Sequence, residues 1–145
     1  LTHQLPQREP DLKIGPFQLW VSGFNDINQK GQGDFAYLST PSLLVTKDII
    51  VFSANSDTPV FTFKQFLNDL LKLYENIADK HLVEFASDDS EFRLSLTNNE
   101  SGQIKISINY NSWSDDRCLE FDEIIDQSYL PKIITDLKII LTKQY

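Results

Sequence analysis

The chain has 145 residues, of which 41% are hydrophobic and 23% are charged, and its formal net charge is −8. A chain of this size can bury a core without disulfides or metals, and its composition argues against disorder over the whole length. The acidic balance disfavours direct binding to nucleic acid, the lone Cys118 cannot form an internal disulfide, and no apolar run is long enough to span a membrane.

The first third of the chain predicts a series of short strands. Residues 1–15 lack periodicity, and we expect them to form an extended lead-in to a single domain over residues 16–145. In FQLWVSGF (17–24), Phe17, Leu19 and Val21 alternate with Gln18, Trp20 and Ser22, which is typical of a half-buried strand. Three further short strands are predicted at 35–39, 43–46 and 48–54.

The strongest helix signal is TFKQFLNDLLKLYENIAD (62–79), where apolar side chains recur every three or four residues along one stripe. Thr62 and Gln65 have the form of a capping box, in which two side chains satisfy backbone donors at the start of a helix. We therefore expect the helix to begin near Thr62.

The second half predicts four strands and a closing helix, DQSYLPKIITDLKIILTKQY (126–145). Pro131 is compatible with a helix only because it falls in the first turn. The strands are predicted at 81–87, 91–97, 103–110 and 117–123, and the second and third alternate cleanly between apolar and polar residues.

These elements predict an α+β fold with two layers. We expect one mostly antiparallel sheet of about six to seven strands, with two helices packed on one face. The other face of the sheet is then open and polar, and it is a candidate surface for binding.

The whole net charge comes from one region, because acids and bases are equal in number elsewhere. Eleven acidic residues but only three basic residues lie between Glu84 and Asp126. A surface of one charge sign speeds the encounter with a partner of opposite sign. The alternative is an acidic surface that only maintains solubility.

Seven residues are candidates for binding a protein partner. Four are expected on the open face of the sheet and three on a loop at its rim: Glu91, Arg93, Glu120 and Asp122 on the face, and Trp113, Asp115 and Asp116 on the loop. Trp113 could anchor an interface through its large contact area, or it could fold back over the edge of the sheet.

Other chemistries find little support in the residues present. Two widely spaced histidines and one cysteine do not make a zinc site, and no acidic stretch has the pattern of a calcium-binding loop. Paired carboxylates on an exposed strand stay solvated, which disfavours acid–base catalysis. No catalytic residue, metal or cofactor is therefore predicted, and a carboxylate-dependent hydrolase and a small-ligand or carbohydrate-binding module remain as alternatives.

From about Phe17 onward the order of elements resembles that of WapI-type immunity proteins of bacterial polymorphic toxin systems. The segments that carry this resemblance are FQLWVSGF, DFAYLS, FKQFLNDLLKLYENI, LVEFASDDSEFRLSL, GQIKISINY and LEFDEIIDQSYLPKIITDLKIIL. The resemblance implies a small cytoplasmic protein without catalytic activity that binds and neutralises a cognate toxin, commonly a nuclease with a basic surface. We expect such a protein to be a monomer or a weak homodimer, with no contact to nucleic acid or membrane.

Overall fold

The structure is a computed structural model that describes residues 5–26, 28, 30–99, 101–112 and 117–145. Within these residues it has an α+β fold with ten strands and two α-helices, and the strand pairs are all antiparallel. The predicted fold class is therefore confirmed. The prediction of a single sheet of six to seven strands is wrong, because the strands form three separate sheets.

The first half of the chain forms two of these sheets. The first sheet has the order β1-β2-β4-β5, and β3 pairs with β6 in a small sheet. The strands are β1 (Leu12–Ile14), β2 (Phe17–Leu19), β3 (Tyr37–Ser39), β4 (Ser42–Val45), β5 (Ile50–Ser53) and β6 (Asp57–Pro59). Because each of these strands has only three or four residues, its pairing depends on contacts that local sequence patterns do not reveal.

Strand β1 lies within residues 1–15, where an extended lead-in was expected. It pairs with β2 from Leu12 opposite Leu19 to Ile14 opposite Phe17, and all four of these side chains are buried. The turn between the two strands contains Gly15 at a φ of 55°, in the region where side chains are strained. The ordered sheet therefore begins before Pro16.

Helix α1 spans Val60–Glu75 and starts directly after β6. Its N-cap is Pro59, and no side chain caps it, so the predicted capping box of Thr62 and Gln65 is wrong. Pairing of β6 with β3 keeps the chain extended up to Pro59, and helical backbone begins at the next residue. Of the predicted apolar stripe, Phe63, Phe66 and Leu70 are buried, but Leu73 is buried where Tyr74 was expected, and Tyr74 is 48% exposed.

The second half forms a four-stranded meander followed by a helix. The other four-stranded sheet, which we call the second sheet, has the order β10-β9-β8-β7, so strands adjacent in the chain are adjacent in space. Its elements are β7 (Leu82–Ala86), β8 (Phe92–Asn98), β9 (Gln103–Ser112), β10 (Arg117–Asp126) and α2 (Leu130–Thr142). Pro131 lies in the first turn of α2, as predicted.

The core lies on one face of the second sheet, which we call its inner face. Phe85 of β7 contacts Phe63 and Phe66 of α1, with ring centroids 5.2 and 4.7 Å apart. Phe17 of the first sheet lies 5.3 Å from the ring of Phe92 in β8. Helix α1 and the first sheet therefore cover the inner face together, whereas only helices were expected there.

Neither helix in the described part of the chain is long and apolar enough to cross a lipid bilayer.

Candidate protein-interaction surface

The opposite side of the second sheet, its open face, is built from cross-strand rows of side chains. Paired residues on antiparallel strands point to the same side of a sheet, so the register defines each row. Three rows cross all four strands: Ala86–Arg93–Asn109–Glu120, Glu84–Ser95–Ser107–Asp122 and Leu82–Thr97–Lys105–Ile124. No described element covers these rows, and Glu84, Arg93, Lys105, Glu120 and Asp122 are exposed.

The charges on the open face are ordered by strand. The two central strands carry the cations Arg93 and Lys105, while the edge strands carry the carboxylates Glu84, Glu120 and Asp122. Lys105 Nζ lies 3.8 Å from an oxygen of Asp122, and both side chains are 60% exposed. Water screens such a pair strongly, so it contributes about 0–1 kcal/mol to stability and leaves Asp122 available to a partner.

The edge strand β10 is the most acidic element of the surface. Glu120, Asp122 and Asp126 point to the open face, and Glu123 points to the other side. All four side chains are exposed. Of these four acids, only Asp122 has an ion-pair partner among the described residues. Asp126 accepts a hydrogen bond from the backbone nitrogen of Ser128 at 2.8 Å, which lowers the pKa of its carboxyl group.

Glu91 lies apart from this surface, although it was expected on the open face. Its side chain is partly buried, and its Oε2 accepts a hydrogen bond from Ser56 Oγ at 3.2 Å. It lines a groove with Ser53 of β5 and with Tyr110 of β9. Glu91 precedes the first residue of β8, so the strand pairing does not fix its direction, and the contact with Ser56 turns it toward the first sheet.

The other predicted site residues divide into two groups. Arg93, Glu120 and Asp122 lie together on the open face, because Arg93 and Glu120 share one row and Asp122 lies in the next. Trp113, Asp115 and Asp116 lie outside the described residues.

The other acidic residues that the structure describes between 84 and 126 are dispersed, and Glu100 lies outside the described residues. Asp88 and Asp89 lie on the turn between β7 and β8, and Glu123 projects toward the turn that contains Gly15. The described part of the open face, including Asp126, carries four carboxylates and two cations. The acidic character predicted for the whole face is therefore concentrated along β10.

Register identifies surface residues that the sequence interpretation did not select. Glu84, Asn109 and Ser107 join the rows of Arg93, Glu120 and Asp122 only once β7 and β9 are aligned with their neighbours. Strand alternation could have placed them on the polar side, but their positions relative to the acids depend on the pairing.

Two observations bear on other kinds of site. Trp20 is only 4% exposed, and its Nε1 donates a hydrogen bond to the carbonyl oxygen of Arg8 at 2.9 Å, so its ring is not available to stack on a sugar. In the part of the chain that the structure describes, no three histidine, cysteine or carboxylate side chains lie together as a metal site requires.

Comparisons with known proteins give one family. The model of the immunity protein WapI-like family matches residues 15–144. Among solved structures, a chain of the set described as "Crystal structures of trypanosoma bruciei MRP1/MRP2" is 14% identical, with 89% of this chain and 85% of that chain covered and a TM-score of 0.42. No curated protein matches the sequence.

Proposed function

The chain belongs to the immunity protein WapI-like family, and from this premise we propose that it binds and neutralises a cognate toxin protein without catalysing a reaction. Binding alone is sufficient for this role, because a protein that covers the active site of a toxin, or holds the toxin inactive, needs no chemistry of its own. We place this action in the cytoplasm of the cell that the toxin enters.

The observation that carries the proposed binding surface is the exposed, acidic strand β10 beside an uncovered sheet face. Glu120, Asp122 and Asp126 project from one side of this strand, and no described residue covers them. Charges held on a rigid strand keep their spacing, which favours a specific encounter with a complementary surface.

The charge of this strand suggests the class of partner. Carboxylates attract lysine and arginine side chains, and the attraction accelerates association when the partner surface is basic. Nucleases carry basic substrate grooves because they bind phosphate, so a nuclease toxin fits the acidic strand best. The cations Arg93 and Lys105 lie on the central strands beside the acids and would fix the orientation of the complex.

Two other roles for the same acids are weaker. Charged residues on an edge strand also prevent sheets from pairing edge to edge, but that protection does not require three carboxylates to point to one side. Acid–base catalysis needs at least one desolvated carboxyl group, whereas Glu120 and Asp122 are exposed.

Co-expression tests the proposed function. Where the gene directly upstream encodes a toxin-like domain, we expect bacteria that produce this domain to stop growing, and to resume growth when they also produce this chain. An inactive variant of the same toxin domain should leave growth normal with or without the chain. Growth arrest that persists despite soluble, folded chain would contradict the proposal.

A further inference from the structure

A groove of about 630 Å³ lies between β5, an edge strand of the first sheet, and the part of the second sheet where β9 ends and β10 begins. One wall is formed by the β5 region, from Ile49 through Ser53. The opposite wall includes Glu91, Tyr110 and Leu119, which belong to the second sheet or border it. The groove meets the second sheet at the paired ends of β9 and β10, because its lining includes Tyr110 and Leu119, which point to the inner face, and also Asn111 and Cys118, which pair on the side of the open face.

The residues that line the groove indicate that β5 presents its edge to the groove and not one of its faces. Successive side chains of a strand point to opposite faces of its sheet, so one face can contribute only every second residue to a cavity. Five consecutive residues, 49 to 53, line this groove. Strand β5 therefore presents its edge, and in the described chain that edge has no partner strand, since β4 occupies the other side. An edge of this kind can accept an additional strand.

The groove also contains the carboxylate of Glu91, which has no ion-pair partner among the described residues. Glu91 is partly buried and accepts a hydrogen bond from Ser56 Oγ, yet it forms no ion pair with any described residue. Its charge contributes to raising the pKa of Tyr110, after burial of that hydroxyl, which is the larger cause. A lysine or arginine that entered the groove would meet a negative charge that is shielded from bulk water.

Apolar contact is available beside this charge. Ile50 is 74% exposed, although β5 is otherwise partly or fully buried, and Leu119 is half-buried on the opposite wall. Single exposed isoleucines are common on protein surfaces, but one that lies on a free strand edge offers apolar contact to any strand that pairs there.

We propose that this groove binds an extended segment of the toxin, which adds a strand to β5 and directs a lysine or arginine side chain to Glu91. The inference rests on the proposed function for the identity of the partner. The edge of β5 supplies backbone hydrogen bonds, Ile50 and Leu119 supply apolar contact, and Glu91 selects for a basic residue.

Synthetic peptides test the groove without the toxin. The probe is an end-capped six-residue peptide of alternating valine and lysine, and its matched control alternates valine and glutamate. We expect the lysine peptide to shift the NMR amide signals of residues 49–53 and to slow their hydrogen exchange by at least about tenfold at saturation. Signals that do not move with the lysine peptide, or that move equally with both peptides, would overturn the proposal.

Two substitutions connect the binding to named residues. Glu91→Gln removes the charge but keeps an oxygen that can accept from Ser56, and Ile50→Lys changes an exposed side chain, so both variants should fold. We expect each to weaken binding of the lysine peptide by about tenfold or more. The matched controls Glu75→Gln and Ile139→Lys, both exposed on helices, should bind as the unchanged chain does. Equal affinities across all four variants would overturn the proposal.

The same variants, titrated with the purified toxin domain encoded directly upstream, separate this inference from the proposed function. Loss of toxin binding in Glu91→Gln and Ile50→Lys but not in the controls supports the groove as a second contact with the toxin, beside the acidic side of β10. Full toxin binding by both variants overturns the groove while leaving the immunity function intact. A peptide that binds to a chain unable to neutralise the toxin overturns the function and keeps the groove as a site for basic extended segments.

Discussion

At the scale of single residues, Asp11 forms ion pairs with one residue from the first part of the chain and one that follows the last helix. Its carboxyl group is 7% exposed, accepts from the backbone nitrogen of Val21 at 2.7 Å, and pairs with Arg8 at 2.9 Å and Lys143 at 3.0 Å. Burial raises the pKa of this carboxyl group, but the hydrogen bonds from Val21, Lys143 and Arg8 outweigh it, and the net pKa is lowered. The ionised form therefore stabilises the fold.

We expect Asp11→Asn to lower the free energy of unfolding by about 2 kcal/mol at pH 7, because a buried acceptor of charged hydrogen bonds is lost. A group whose pKa is lowered in the folded state stabilises the protein above its unfolded pKa, and that contribution disappears as the pH falls through the folded pKa. Urea unfolding at several pH values should thus show the unchanged chain losing its advantage below about pH 4.

Asp34→Asn is the matched control for this substitution. Asp34 pairs with Lys64, but the two side chains are 52% and 49% exposed, so its loss should change stability by less than about 0.5 kcal/mol. A gap between Asp11→Asn and the unchanged chain that is as large at pH 3 as at pH 7 would contradict the role given to the Asp11 carboxylate.

At the scale of elements, the contact between α1 and the second sheet depends on one aromatic side chain. Phe85 of β7 is 1% exposed, stacks on Phe66 at 4.7 Å and lies 5.2 Å from Phe63 and 5.8 Å from Phe92. Its removal would leave a cavity between helix and sheet that neither can close without moving.

We expect Phe85→Ala to lower the free energy of unfolding by about 4 kcal/mol, through lost burial and the cavity that remains. Phe35 is 74% exposed, so Phe35→Ala should cost less than about 0.5 kcal/mol. Urea denaturation followed by circular dichroism measures both. Similar costs for the two substitutions would show that Phe85 does not join α1 to the sheet.

Elements with long, regular patterns were predictable from the sequence, and so were the positions of the short strands β2 to β5, whereas β1 and β6 were missed. Strands β8 and β9 alternate over seven and ten residues, and the apolar positions predicted to point inward, from Phe92 to Tyr110, are buried. Strands β1 and β6 have three residues each, too few for periodicity to register, and they form only because β2 and β3 pair with them.

Three residues of the candidate surface were predictable from strand alternation, and Glu91 was not. Alternation along β10 placed Glu120 and Asp122 outward, and Arg93 followed from the pattern of β8. Glu91 lies before its strand begins, and its direction is set by Ser56, a residue 35 positions away in the chain. Such a contact exists only after the two halves of the protein pack together.

At the scale of the whole molecule, the sequence has a net charge of −8, and the described charges of the second sheet are arranged by strand. In the described chain, four carboxylates lie within β10, while the cations Arg93 and Lys105 occupy the middle of the same sheet. A basic toxin should therefore be attracted to one edge of the sheet and aligned by its centre.

The central claim, that a cationic toxin docks on the acidic side of β10, is tested most directly by stopped-flow association with the inactivated toxin domain encoded upstream. The double variant Glu120→Gln/Asp122→Asn is compared with Glu75→Gln/Asp79→Asn, which removes the same charge from exposed positions at and beyond the end of α1. We predict that the β10 variant associates about tenfold more slowly at low salt, that the difference shrinks at about 500 mM salt, and that the control associates at the unchanged rate. Equal rates for the two variants at low salt would contradict the claim.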